Sequence, residues 1–171
     1  KEARDITFPE SKIKPEELLE KYPTSTYAGW AFYNANWKGV IHIGDFRDKE
    51  YIKKLKEHVL KIAKGISYKQ IAKEHAGNMF KEEVFEENKR NMERAENFCR
   101  RFVKENPNFS FSGYILAVGG MNALFLGKIS EACEMLNQSL KLGWEKPYIG
   151  ENTKKTIKEV LSVLEAEGHC K

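Results

Sequence analysis

Hydrophobic residues recur every three or four positions along most of this chain, which is the spacing that predicts amphipathic helices. The longest such pattern runs from about residue 79 to residue 105. Residues 38–46 are the least helical part, with two glycines and with Val40 and His42 alternating with Ile41 and Ile43. Because the chain offers no second strand for them to pair with, we expect a loop of extended character. The clearest helical stripe, with lysines on the other faces, is Ile52, Leu55, Val59 and Ile62.

The stretch 102–140 is the one around which the rest of the chain is organised. Two apolar helical runs flank Gly127, and Pro107 ends the helix before them. Each run is apolar on more than one side, so it needs neighbours on several sides to cover it. Small residues lie where the two helices of this hairpin would touch, at Gly119, Gly120, Ala123 and Ala132.

The pattern as a whole predicts an all-α protein of seven or eight helices, stacked as antiparallel hairpins into an α–α superhelix. Of the 25 acidic residues 22 are Glu, which favours helix interiors, whereas Asp favours caps and turns. We expect one helical domain over residues 14–171, preceded by a polar arm over residues 1–13. The residues expected to begin the first helices are Pro15, Ser25, Asp48 and Ser67.

One segment of the chain repeats itself. Residues 18–33, LLEKYPTSTYAGWAFY, align without gaps to residues 102–117, FVKENPNFSFSGYILA, at an offset of 84. Both copies have proline at the sixth position and glycine at the twelfth. Each copy therefore predicts a helix end, a proline break and a new helix that opens with an aromatic residue and a close-packing glycine.

The hairpin around Gly127 resembles a tetratricopeptide repeat, a unit of 34 residues. Leu116 takes the first large position of that pattern and Gly120 the small contact position. Ser139 stands where the family usually has alanine, and residues 38–77 fit the pattern poorly. The resemblance implies a right-handed helical superhelix whose concave face binds peptides or other proteins. The other positions in register are Ala123, Ile129, Ala132 and Leu136.

The N-terminal sequence EKYPTSTYAGWAFYNA is similar to the repeat junction of bacterial outer-membrane-assembly lipoproteins. That resemblance implies a place in the periplasm or cell envelope, with the cytoplasm as the alternative. Because the chain starts at Lys1 and not at a methionine, we expect that something upstream has been removed. A signal peptide, a lipid-anchored leader and a chosen starting point all fit this observation. No apolar run reaches the roughly 20 residues that cross a bilayer.

The three cysteines provide neither the number nor the spacing of ligands that structural zinc needs, and no metal or cofactor is expected. Cys99 and Cys133 fall inside apolar helical patterns, where a thiol usually behaves as a small buried hydrophobe. The alternative for Cys133 is a disulfide with Cys170, which an oxidising compartment would allow.

The sequence contains no catalytic motif, and we expect that the protein is not an enzyme. None of its four histidines shares a helix face with a second metal ligand. His42 and Asp45 form the one pairing worth naming as an acid and a base, in the loop before the third helix. A surface loop pair is the simpler interpretation of these two residues.

Positive charge is concentrated in residues 47–75, where nine Lys and Arg stand against four Asp and Glu, a surplus of five. The segment 47–77 ends in GISYKQIAKEHAG, which looks like the first helix of a helix-turn-helix. Nucleic-acid binding through this segment is therefore the alternative function. The sequence that follows, FKEEVFEENK, is acidic and would repel phosphates, so a solvated lysine-rich face is the preferred interpretation.

Large aromatic residues gather on the first helix of each copy of the repeat. The alignment places Trp30 beside Tyr114 and Trp37 beside Met121, and successive hairpins of a solenoid bring equivalent positions together. Aromatic rings supply contact area and Asn amides bind peptide backbone, so we predict a groove for a peptide or helix of a partner protein. The alternative is that the strip is hairpin core. The predicted groove residues are Trp30, Tyr33, Asn34, Trp37, Tyr114, Met121 and Asn122.

Overall fold

A computed structural model describes residues 14–35, 37–145 and 150–171 of the chain. Within these residues the protein has eight α-helices and no strand, which confirms the predicted all-α fold. The predicted arm at residues 1–13 lies outside the described part. No helix in that part combines the length and the hydrophobicity that crossing a membrane requires.

Three predicted helix starts are confirmed by side-chain caps. The hydroxyls of Ser25 and Ser67 and the carboxylate of Asp48 accept hydrogen bonds from backbone N–H groups of the following first turn. These bonds satisfy donors that a helix leaves unpaired at its start. In chain order the helices are α1 (Pro15–Lys21), α2 (Thr26–Asn34), α3 (Lys49–Ala63), α4 (Tyr68–Ala76), α5 (Glu82–Glu105), α6 (Ser112–Phe125), α7 (Ile129–Ser139) and α8 (Gly150–Ala166), with a 3₁₀ turn at Gly77–Met79.

Helix α6 is the centre of the fold, since every one of its residues is buried. It packs against α5 and α7 and also contacts α2 and α3. A helix that is apolar on all sides must be enclosed on all sides, as the sequence predicted for this stretch. Two of its glycines permit close contact with its neighbours. A Cβ at Gly119 would lie against Cys99 of α5, and one at Gly120 against Leu136 of α7.

The internal repeat of the sequence is also a repeat of backbone structure. Tyr22 follows α1 with φ −134° and ψ 55°, and Asn106, the equivalent residue, follows α5 with φ −131° and ψ 58°. Each donates its N–H to the carbonyl four residues before it, at 2.8 Å in both copies. The next two bonds of the turn, from Ser25 to Tyr22 and from Ala28 to Ser25, recur from Phe109 to Asn106 and from Ser112 to Phe109.

The loop at residues 38–46 is tied to α6 and α8 without joining a sheet, as predicted. The side-chain amide of Asn122 accepts from the N–H of Ile41 and donates to the carbonyl of the same residue, both at 3.0 Å. Thr156 of α8 donates its hydroxyl to the carbonyl of Gly44 at 2.9 Å. The loop therefore connects the central helix to the last one.

A disulfide between Cys133 and Cys170 joins the C-terminal tail to α7. This bond is the alternative that the sequence left open for Cys133, whereas Cys99 is a free buried thiol, as predicted. His169 forms a second tie, because its Nε2 lies 2.9 Å from the carbonyl oxygen of Ala63 at the end of α3. Helices α3, α7 and α8 are thereby linked at one end of the fold.

Candidate partner-binding groove

Three of the predicted groove residues lie in the core and line no groove. Tyr114 is 6% exposed, and Met121 and Asn122 are not exposed at all. The prediction is wrong for these three because α7 and Trp144 cover α6, and the Trp144 ring meets that of Tyr114 edge-on at 6.2 Å between centroids. The amide of Asn122 binds the backbone of Ile41 in place of a partner's backbone.

The four predicted residues of the first copy lie nearer the surface. Trp30 and Tyr33 are partly buried and contact the ring of Phe111 at centroid distances of 4.9 and 6.2 Å. Asn34 is exposed and donates its amide to the carbonyl of Trp30 at 2.8 Å. Trp37 packs against α5 instead. The structure therefore brings Tyr33 against Tyr114, at 5.8 Å between ring centroids, and Trp30 beside them on Phe111, but it does not assemble the seven predicted residues into one groove.

The predicted acid–base pair of His42 and Asp45 is not formed. The Asp45 carboxylate pairs with the Arg47 guanidinium at 2.7 Å, and the hydrogen bonds from Arg47 lower the pKa of Asp45. Burial raises the pKa of the Cys99 thiol well above its ordinary value, which disfavours the nucleophilic thiolate. Among the described residues, no three His, Cys, Asp or Glu side chains are grouped so as to hold a metal ion.

An open groove of about 880 Å³ runs between α3 and α8, and we call it the α3–α8 groove. The two helices run in the same direction. The N–H of Phe46, just before α3, donates to the carbonyl of Asn152 near the start of α8. At the other end His169 binds Ala63. The groove follows α3 for about three helical turns, or roughly 17 Å at 1.5 Å per residue.

The floor of the α3–α8 groove is apolar. Ile52 and Leu60 line it from α3, Val163 and Ala166 from α8, and Phe46 from the loop. Ile52 is 9% exposed, while the other four are partly buried or exposed, so their carbon surface meets solvent. A contiguous apolar strip open to water is a common mark of an interaction surface.

The two edges of the α3–α8 groove differ in charge. Lys49 and Lys53 stand on the α3 edge with a single acidic residue, Glu57, and neither lysine is ion-paired within the described part of the chain. Glu167 stands at the end of the α8 edge. Lys56 and Glu159 join the two edges through an ion pair of 3.0 Å. The groove therefore offers a ligand an apolar floor with unpaired cations along one side.

Sequence reasoning missed this groove. Leu60 and Val163 each lie beside a residue of a core stripe, Val59 on α3 and Leu164 on α8, so they look like the margin of the core. The available signal was that the apolar stripe of each helix extends, on one side, beyond the residues that the core buries. Neither helix alone shows that the two widened sides face each other, because that depends on the tertiary pairing of α3 with α8.

Much of the positive charge in the segment 47–77 is already ion-paired. Helix α4, which resembles the first helix of a helix-turn-helix, is followed by Glu82 and Glu83 in the first turn of α5. A phosphate backbone would meet a surface of mixed sign here. Among the described residues the ion pairs are Arg47–Asp45, Lys54–Glu50, Lys56–Glu159, Lys61–Glu74, Lys69–Glu82 and Lys69–Glu86.

Comparisons of the chain with protein-family models, with curated proteins and with solved structures found no match. The tetratricopeptide-like register of α6 and α7 therefore stays a prediction from the sequence.

Proposed function

We propose that this protein is a non-catalytic scaffold that binds an amphipathic helix of a partner protein in the α3–α8 groove. The observation that carries the proposal is the row of apolar side chains open to solvent between two parallel helices. Scattered exposed apolar residues are common on soluble proteins, whereas a contiguous strip is not. The tetratricopeptide resemblance points to the same class of function, since that family binds peptides and proteins.

The shape of the groove favours a helix as the occupant. A helix laid between two parallel helices packs its apolar stripe into their shared groove, which is a recurring mode of peptide recognition. Roughly 17 Å of groove admits about eleven helical residues, which present apolar anchors at i, i+3 or i+4, and i+7. An extended peptide would need backbone partners from the walls, and the backbone groups within a helix are already bonded to one another.

The charges at the edges of the groove indicate which side chains border the apolar stripe of the partner helix. Acidic side chains on one edge of the partner would face Lys49 and Lys53, the two cations of this groove that have no ion pair among the described residues. Exposed charge pairs add little affinity, but they steer association and reject partners of the wrong charge. The partner we propose therefore has an apolar stripe bordered by Asp or Glu.

We also propose that the protein works in an oxidising compartment, of which the periplasm is an example. The Cys133–Cys170 disulfide supports this, because such bonds rarely persist in the cytosol. The resemblance of the N-terminal junction to envelope lipoproteins points the same way. Alkylation of free thiols before purification tests it. In an oxidising compartment we expect the reagent to modify Cys99 alone, once denaturation has exposed it. Modification of all three cysteines would show a reducing compartment.

The groove is tested by selecting binders from a displayed library of stapled helical peptides, each about twelve residues long. We expect the selected peptides to share an apolar stripe with acidic residues along one edge. Leu60→Asp places a charge on the apolar floor and should weaken the selected peptides by well over tenfold, measured by fluorescence anisotropy. Because Leu60 is partly exposed, circular dichroism of this variant should match the parent protein.

Two neighbouring lysines provide the matched control. Lys53→Ala removes a cation from the groove edge and should weaken binding several-fold, whereas Lys54→Ala, equally exposed but outside the groove, should not. Peptides that bind Leu60→Asp as well as the parent would show that the groove is not the site. Tight binding of duplex DNA that falls steeply with salt and depends on Lys49 and Lys53 would favour the nucleic-acid alternative.

A further inference from the structure

A separate cavity of about 360 Å³ lies between α1 and α5 and contains Trp37. Its floor is apolar and is formed by the Trp37 ring with Leu19 and Phe98, which are 5% and 7% exposed. Arg94 and Arg101 line it from α5, and a spacing of seven residues places them on one face of that helix. An apolar floor with a few converging polar groups is the usual composition of a ligand pocket.

Two residues that line this cavity carry a hydrogen-bond donor with no acceptor among the described residues. The indole N–H of Trp37 is buried and unpaired. The exposed guanidinium of Arg101 takes part in no ion pair within the same part of the chain. Arg94, in contrast, lies over the Trp37 ring at 5.0 Å and pairs with the carboxylate of Glu20 at 3.1 Å. Within the described residues the rim therefore already accepts one carboxylate and leaves Arg101 unpaired for a second.

We propose that this cavity binds the carboxyl terminus of a peptide whose last side chain is apolar. A C-terminal residue carries its carboxylate and its side chain on the same Cα, so one residue meets both the arginine rim and the apolar floor. Arg101 donates to the carboxylate in charge-assisted hydrogen bonds, with the Asn97 amide beside it. The side chain packs against Phe98. An internal Asp or Glu has a short stem and would leave the floor empty.

This site is distinct from the α3–α8 groove, since the two share no lining residue. The groove is proposed for a helix with acidic edges, and this cavity for the end of a chain. Either proposal can therefore fail without the other, and the variant Leu60→Asp should leave binding at this cavity unchanged.

The test uses two acetylated tetrapeptides that end in leucine, one with a free carboxylate and one with a C-terminal amide. Each is titrated into the full chain labelled with ¹⁵N, and the indole N–H resonance of Trp37 is followed. The chain has three Trp residues, and Trp37→Phe identifies the signal by its loss. We expect a saturable shift with the free carboxylate and an affinity at least tenfold lower for the amide.

Substitutions on α5 supply the matched controls. Arg101→Ala should lower the affinity of the free-acid peptide about tenfold, whereas Arg90→Ala, an exposed arginine of the same helix outside the cavity, should not change it. The proposal is overturned if the free acid causes no saturable shift or if the amide binds equally well. It is also overturned if inorganic phosphate, or an amidated peptide with an internal Glu, produces the same response.

Discussion

The two copies of the internal repeat share one backbone but not one environment. The turn after α1 and the turn after α5 have the same helix end and the same three hydrogen bonds. Beyond the turn they differ. Partly buried Trp30 corresponds to Tyr114, which is 6% exposed, and one residue past the aligned segments, at the same offset of 84, exposed Asn34 corresponds to fully buried Val118. The local sequence therefore determines how the chain bends, while the rest of the molecule determines which side chains the bend buries.

The cover over the second copy comes from elements that follow it in the chain. Helix α7 lies along α6, and the Trp144 indole donates to the carbonyl of Ser139 at 2.9 Å while packing against Gly113. The first copy has no such cover in the described structure. Its Trp30 packs edge-on against Phe111 of the second copy. The second copy is thus the centre of the core and the first copy its margin.

Exchanging equivalent residues between the copies tests this comparison directly. Val118→Asn buries an amide without partners and should lower the free energy of unfolding by about 3 kcal/mol. Asn34→Val changes an exposed residue whose amide makes one hydrogen bond, to the carbonyl of Trp30, and should cost no more than about 0.5–1 kcal/mol. Urea unfolding followed by circular dichroism measures both. Equal losses would mean that the two copies are equally buried in solution.

Reducing the disulfide loosens the elements that cover the second copy. The bond between Cys133 and Cys170 closes a loop with a sequence separation of 37, for which chain entropy gives about 3–4 kcal/mol of stabilisation. We expect dithiothreitol to lower the melting temperature accordingly. A Cys133→Ala, Cys170→Ala double variant should melt at the same temperature with and without the reductant. A shift in that variant would assign the effect to the remaining thiol, Cys99.

Substitution of the equivalent glycines near the start of α2 and α6 should distinguish the two copies by a smaller difference in stability. A Cβ at Gly113 would meet the Ser139 carbonyl oxygen at 2.7 Å and displace the Trp144 indole, so Gly113→Ala should cost about 2–3 kcal/mol. A Cβ at Gly29 would meet the partly exposed ring of Phe109 and, at 2.8 Å, the fully buried ring of Phe102. Because it meets side chains and no backbone atom, Gly29→Ala should cost less, about 1–2 kcal/mol. The same unfolding measurement applies. A larger loss for Gly29→Ala would contradict the view that the first copy is the looser one.

The helices of this protein could be predicted from sequence because their signals are local. Ser25, Asp48 and Ser67 cap the helices that their positions predicted. The site could not be predicted in the same way. Trp30 and Tyr114 have the same surroundings in sequence, yet their burial differs because Trp144 and α7 lie over one of them. Pairing of distant helices likewise created the α3–α8 groove, and no single helix carries a pattern for that pairing.

The prediction with the smallest expected effect concerns the contact between the two copies. The Asn106 side-chain amide donates to the carbonyl of Thr24 in the first copy at 2.8 Å, and so joins the two turns directly. Asn106→Ala removes this bond and should lower the free energy of unfolding by about 1 kcal/mol. Asn108→Ala, an exposed asparagine of the same turn, is the control and should change stability by less than about 0.5 kcal/mol.

Faster amide hydrogen exchange in α1 and α2 is also expected for Asn106→Ala, because the first copy would lose one of its ties to the core. Unchanged exchange in both helices would show that ring packing alone holds the copies together.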